Sequence, residues 1–181
     1  MNNRDVHHHR LFWEPDREFE RLNEWVEPKA FAFGDMDILE EKNLRQIAEN
    51  YFKCAELLID RVFKNDLEDF VAQFPAIYLI RHSIELLLKH AILCQTRKAA
   101  PKSHCLSDLA KDVSGIEPWA MGRIKELDEI DPRSVELRYG GVGERAQGFI
   151  GSELHFFREA MRVLYAHLCA VADAKDQGTE S

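Results

Sequence analysis

The groups with the richest chemistry lie on one stretch, Phe74 to Leu93, where Tyr78, Arg81, His82, Glu85 and Lys89 interrupt an apolar run. At about 100° per residue these five fall within an arc of about 100° on a helix. Charges on such a helix must be solvated, paired or placed at an interface. Arg81 with Glu85 and Glu85 with Lys89 are both i,i+4, the spacing of intrahelical ion pairs on a face that meets water. An Arg, a His, a carboxylate and a Lys in one stripe are also the set that acid/base and phosphate-binding chemistry requires. The stripe is therefore a candidate substrate-binding surface or dimer seam, with His82 a candidate catalytic group.

A second stripe lies near the C-terminus, where His155, Arg158 and Arg162 stand at i, i+3 and i+7, within about 60° beside an apolar helical face. Long basic side chains laid over apolar surface explain this without any ligand; contact with an anionic substrate is the alternative. Between residues 131 and 151, Arg138, Tyr139 and Arg145 sit among Gly140, Gly141, Gly143, Gly148 and Gly151. The segment is long for a passive connection, and its glycines let backbone approach a ligand closely. It is either the mobile edge of a site or a solvated hairpin, Val135 to Tyr139 against Phe149 and Ile150. It matches neither a nucleotide P-loop nor a dinucleotide fingerprint, and neither H-E-x-x-H nor G-x-S-x-G is present, so no cofactor and no metal are expected. His7, His8 and His9 resemble a tag remnant or chance on a terminal tail. Cys54, Cys94, Cys105 and Cys169 form no C-x-x-C and read as reduced thiols.

Helices must position these groups. Leu44, Ile47, Ala48, Tyr51, Ala55, Leu58, Ile59 and Val62 share an arc of about 120°, predicting an amphipathic helix over 37–64 with Asp35 or Asp37 as N-cap. A central helix, kinked or started by Pro75, runs to about Thr96. It is apolar on two sides: Ile77, Ile80, Ile84, Leu87, Leu88 and Ala91, and Leu79, Leu86 and Leu93. Shorter helices follow at Leu106 to Val113, with Ser103 as candidate cap, and at Pro118 to Ile130. A last helix begins near Ser152 and buries Leu154, Phe157, Met161, Leu164, Leu168 and Val171. Residues 1–36 read as an arm with a possible short helix at Asp16 to Val26, residues 37–174 as the helical domain, and 175–181 as a disordered tail.

The 181 residues carry net charge −8, 45% hydrophobic residues and only 9 Gly and 6 Pro. That composition disfavours a loop-rich all-β fold and a disordered chain. The acidic balance removes the footprint of a protein that coats nucleic acid non-specifically, so any such contact must be a local site. Charges interrupt the greasiest segment, so no membrane span is expected, and the N-terminus has no apolar signal region. A cytoplasmic location is the expectation.

Three motifs in this order resemble the HEPN superfamily of small helical proteins. AIYLIRHSIELLLKHAIL is similar to its Glu-x-x-x-Lys helix, with Glu85, Lys89 and the following basic His90. HCLSDLA is similar to its turn, with His104, Leu106 and Leu109, and LRYGG to its Arg-Tyr element. The resemblance covers roughly residues 40–172. It implies an all-α bundle of four to five helices that pairs into a homodimer, in a family where many members are metal-independent endoribonucleases or toxins. Such members act in toxin–antitoxin and phage-defence systems, often beside a nucleotidyltransferase. The family's catalytic motif is Arg-x4-6-His at or before the last helix, where His acts as acid or base and Arg steadies phosphorane-like charge.

Arg138 stands at the expected place, but Gly143, Glu144 and Arg145 occupy the positions five to seven residues on. Arg162 with His167 has the required spacing. Inside one helix, however, those side chains point about 140° apart, so they meet at one phosphate only past a bulge or across a dimer. Two readings stay open. One is an RNA-cleaving toxin or defence component using a nonstandard set drawn from His82, His167, Arg138, Arg158 and Arg162. The other is a catalytically silent module that dimerises or binds a partner such as an antitoxin or nucleotidyltransferase.

Overall fold

A computed structural model describes residues 43–131, 134, 136–139 and 152–174, all of which lie in one compact unit, residues 35–181. Among the described residues every regular element is helical: α1 (Leu44–Phe63), α2 (Asp69–Thr96), α3 (Leu106–Lys111), α4 (Pro118–Ile130), a single turn α5 (Glu136–Tyr139) and α6 (Leu154–Asp173). The all-α expectation holds, with five helices beyond one turn in length. The expected arm, the candidate caps Asp35 and Asp37 and the tail fall outside the described residues.

Helix α2 is the axis. Its 28 residues span about 42 Å, and between Ile80 and Ile92 it is buried nearly all round, as its two apolar sides require. Pro75 neither starts nor ends it: the helix runs through the proline from Asp69. Helix α1 returns antiparallel beside it. Small Ala48 and Ala55 are completely buried on α1, and Ser83 Oγ on α2 donates to the Ala48 carbonyl at 2.7 Å, satisfying a buried hydroxyl. Helix α6 runs antiparallel to α1, with Phe52 stacked on Tyr165 at 4.3 Å between ring centroids. Its buried face is Met161, Leu164, Leu168 and Val171; Leu154 and Phe157 are half-buried at the edge of the same core.

The helix ends differ from the sequence expectation in ways that have physical causes. Helix α1 stops at Phe63 because Asn65 takes a left-handed φ of 56°, which Asn tolerates. The α6 cap is Glu153, whose carboxylate accepts from His155 N–H at 2.8 Å and Phe156 N–H at 2.7 Å, and not Ser152. Pro118 opens α4 at a first-turn position as expected. Where a strand of a small hairpin was expected, residues 136–139 form the turn α5; the second strand's residues lie outside the described set.

Helix α3 has only six residues, too few to stand alone, and its cap comes from another helix. Asp128 on α4 accepts from Leu106 N–H at 2.8 Å, Ser107 N–H at 2.6 Å and Cys105 Sγ–H at 3.4 Å. Ser103, the expected cap, only accepts from Cys105 N–H at 3.1 Å. Because Asp128 is also buried beside a cation, Asp128→Ala is expected to cost about 3 kcal/mol or more in urea unfolding. Glu153→Ala, the loss of an exposed cap, is expected to lower the urea midpoint by much less than Asp128→Ala.

Candidate functional site

The i,i+4 pairing on α2 forms, but not on a water-facing side. Arg81 and Glu85 are 0% and 1% exposed, so neither can face a second copy or a substrate at the surface, and that part of the expected seam is corrected. Core helices surround this part of α2, and a buried charge must find partners inside the chain. The Arg81 guanidinium donates to the His104 carbonyl at 2.7 Å and lies 3.5 Å from Glu85 Oε2 and 3.5 Å from Asp128 Oδ1. Its Nε has no hydrogen-bond partner. Glu85 Oε1 in turn receives Lys89 Nζ at 2.7 Å and lies 2.9 Å from His104 Nδ1. Burial pushes the Glu85 carboxyl up, but hydrogen bonds and charge from Lys89 and His104 outweigh it and hold it below the ordinary glutamate range.

One turn away, His82 is half-buried against two tyrosines. The Tyr51 ring of α1 meets it edge-on at 4.6 Å, and the Tyr78 ring lies parallel to it, 5.9 Å between centroids. The Arg138 guanidinium from α5 stands 5.9 Å over the other residue of that pair, Tyr78, while its Nε donates to the Ser134 carbonyl at 2.7 Å. Arg138 and His82, distant in sequence, are thus gathered at one tyrosine. Burial pushes the His82 imidazole down; Glu85 pulls it up, while Lys89, Arg81 and His104 add to the depression. A neutral imidazole can accept a proton, which is general-base chemistry.

The cations of α6 are engaged by α1. Arg158 binds Asp60 at 2.5 Å and Glu56 at 3.3 Å. Arg162 Nε donates to Glu56 at 2.8 Å, its Nη2 also binds Glu56, and its Nη1 binds Glu159 at 2.8 Å. The hydrogen bond it donates to Glu56 raises the Arg162 pKa. His167 meets a different helix: its Nε2 accepts from Glu117 N–H at 3.3 Å, and its ring lies 5.1 Å from Trp119. Arg162 and His167 therefore serve α1 and α4 respectively. His155 is exposed and lies edge-on to Phe63 at 6.4 Å. His90 lies beside Cys94, with Nε2 3.5 Å from Sγ. Arg145 and the side chain of Tyr139 lie outside the described residues.

Four groups that complete these clusters were not singled out from sequence: Asp128, Glu56, Asp60 and Tyr51. Glu56 and Asp60 did carry a signal. They are i,i+4 on α1, and Arg158 and Arg162 repeat that spacing on α6, the pattern of a ladder between two antiparallel helices. All four cysteines are free, Cys54 being exposed and not a core thiol. No metal-binding group of His, Cys, Asp or Glu occurs among the described residues, and no described helix is long and apolar enough to cross a membrane. Comparison with protein-family models, curated proteins and solved structures finds no match.

The pH response of this buried cluster follows from its two displaced groups, Glu85 and His82. The folded pKa of Glu85 is depressed, so its contribution is full above the ordinary glutamate value of 4.5 and is lost as pH falls through the lower folded value. The folded pKa of His82 is also depressed, below the ordinary 6.5. The unfolded chain therefore takes up that proton first, and stability falls as pH drops below about 6.5. Urea midpoints across pH 3–8 are expected to fall in two stages. His82→Phe should flatten the upper stage and Glu85→Gln the lower. A profile unchanged by both would show that neither group is coupled to folding.

Proposed function

We propose that the chain is a HEPN-like helical module that acts by binding proteins, in an RNA-linked defence or toxin setting, and does not itself cut RNA. One observation carries this reading: the basic groups that phosphate chemistry would need on α6 are held by carboxylates of the same chain. Arg158 and Arg162 are bound by Glu56, Asp60 and Glu159, and Arg81 is sealed in the core. Bringing RNA to Arg158 or Arg162 would require displacing those carboxylates, which also repel phosphate. Loss of the Arg81–Glu85 surface leaves the outer side of α6 as the seam for the homodimer that the resemblance implies. There Phe156 and Val163 are each 55% exposed, and Ala166 and Ala170 continue the stripe.

A second reading is favoured by the meeting of Arg138 and His82 at Tyr78. It assigns metal-independent endoribonuclease activity to that pair, with His82 as base on the 2′-hydroxyl and Arg138 stabilising phosphorane charge.

The two readings part in one experiment. Purified chain is incubated with labelled tRNA and messenger RNA, in EDTA and in magnesium, and intact RNA is the expected result. Cleavage lost in both His82→Ala and Arg138→Ala would replace the binding reading with the nuclease reading. Sedimentation equilibrium at tens of micromolar, an order set by ordinary dimer affinities, is expected to show a dimer that Val163→Glu dissociates. A monomer at that concentration would remove the seam.

A further inference from the structure

The first three turns of α2 carry an aromatic ridge that stays exposed among the described residues except at its last member, Tyr78, which packs on His82. Phe70 is 65% exposed, Val71 47% and Phe74 43%, and half-buried Tyr78 continues the line at i, i+4 and i+8. At about 100° per residue these four lie opposite Ala72, Ala76 and Ile80, which are the buried side of the same turns. The ridge is therefore turned away from the core. Ridge residues span about 12 Å along the axis. Large exposed apolar side chains in a contiguous row mark an interaction surface more often than chance exposure.

The charges at the start of the ridge are of one sign, while at its far end the Arg138 guanidinium stands 5.9 Å over Tyr78. Asp66, Glu68 and Asp69 precede it, and no Lys or Arg occurs from residue 65 to residue 80. Arg61 pairs with Asp66 at 2.9 Å, leaving Glu68 and Asp69, both exposed, beside Phe70. Acids at a helix start have an ordinary role against the helix dipole, which accounts for their position but not for the aromatic row. Pro75 adds a backbone feature: it has no N–H, so the Val71 carbonyl within the ridge lacks its i+4 donor and can accept from an incoming group.

We propose that this end of α2 docks a basic amphipathic helix of a partner protein. The partner's apolar stripe would pack on Phe70, Val71, Phe74 and Tyr78, and its Lys or Arg side chains would meet Glu68 and Asp69. An i, i+4, i+8 ridge matches the spacing of an apolar stripe on a facing helix. The carboxylates select the occupant: they attract a cationic helix and repel an anionic bilayer. The proposal rests on the protein-binding reading above and names the chemistry of its partner.

The test uses the full chain and a fluorescein-labelled synthetic amphipathic helix of leucine and lysine, followed by fluorescence anisotropy. A second probe has glutamate at every lysine position. The lysine probe is expected to bind, more weakly as salt rises, and the glutamate probe is not. Phe70→Ser/Phe74→Ser should weaken binding about tenfold or more, and Glu68→Lys/Asp69→Lys should remove the salt dependence. Phe70→Ser/Phe74→Ser changes exposed positions and should melt with the wild type by circular dichroism, while Glu68→Lys/Asp69→Lys, which reverses the charge at the helix start, should melt lower but stay folded at the assay temperature. Equal binding of the two probes, or unchanged binding by both variants, overturns the proposal. Binding to lipid vesicles but not to the lysine probe assigns the ridge to a membrane and overturns it too. So does self-association that Phe70→Ser/Phe74→Ser abolishes, since the occupant is then a second copy. Cleaved RNA with probe binding intact overturns the function and leaves the docking surface; intact RNA with no probe binding overturns the surface alone.

Discussion

A guanidinium with no access to water organises this fold. Arg81 is completely buried, and a cation removed from water is tolerated only with charge and hydrogen-bond compensation close at hand. Its compensation comes from three places: Glu85 on the same helix, the His104 carbonyl in the loop before α3, and Asp128 on α4. Each of those is then committed. Asp128, drawn to the guanidinium, lies where its oxygens accept the first N–H groups of α3, so a six-residue helix exists because a cation on the preceding helix needed an anion. Glu85, left with spare acceptor capacity, takes Lys89 and His104. Removing one member leaves the others buried without compensation, which makes this polar cluster a stronger constraint on α2, α3 and α4 than any one apolar contact between them.

What could be read from sequence was what is periodic along one element. The buried faces of α1 and α6, the double-sided burial of α2 and the opening of α4 at Pro118 all follow from residue spacing of about 3.6, and all appear as expected. What escaped depends on two elements at once. The Arg81, Glu85 and Lys89 spacing correctly announces ion pairing, yet the same spacing suits a solvated face and an interior one. Only Asp128, separated from its cap contacts by more than 20 positions, decides between them. Ser103 is a sound cap candidate on local grounds and loses to that carboxylate for the same reason. In the candidate site His82 and Arg138 were both in the expected set, but their gathering at Tyr78 could not be selected from sequence, because it depends on where a single turn, α5, lies against α2. The α1–α6 ladder is the instructive exception: matched i,i+4 acids and bases on two separate helices are visible in sequence once both are read together.

That ladder bears on function through electrostatics. Glu56 accepts from both Arg158 and Arg162, so two cations that look available on a helical wheel are neutralised in the fold. In a chain of net charge −8, this removes the basic pair of α6 from the several cations that firm phosphate binding needs. Protein recognition has no such requirement. It is served by exposed aromatic side chains on rigid helices, and Phe70, Phe74, Phe156 and Trp119 are all of that kind.

The two regimes of α2 explain how one helix can serve both stability and recognition. From Ile80 onward the helix is surrounded, and its charges are consumed internally. Before Ala76 it is held by one narrow side, Ala72 and Ala76, and among the described residues Phe70, Val71 and Phe74 on the opposite side stay exposed. Phe70 and Arg81 are separated by 11 residues, about 16 Å along the axis, which exceeds the range over which side-chain effects normally couple. A partner can therefore load the turns of Phe70, Val71 and Phe74 without disturbing the buried ionic cluster, and substitutions at these three act on binding with little effect on folding, whereas Tyr78 is packed on His82. The helix is continuous through Pro75, so the docking end remains rigidly attached to the core, and little conformational entropy is lost there when a partner binds.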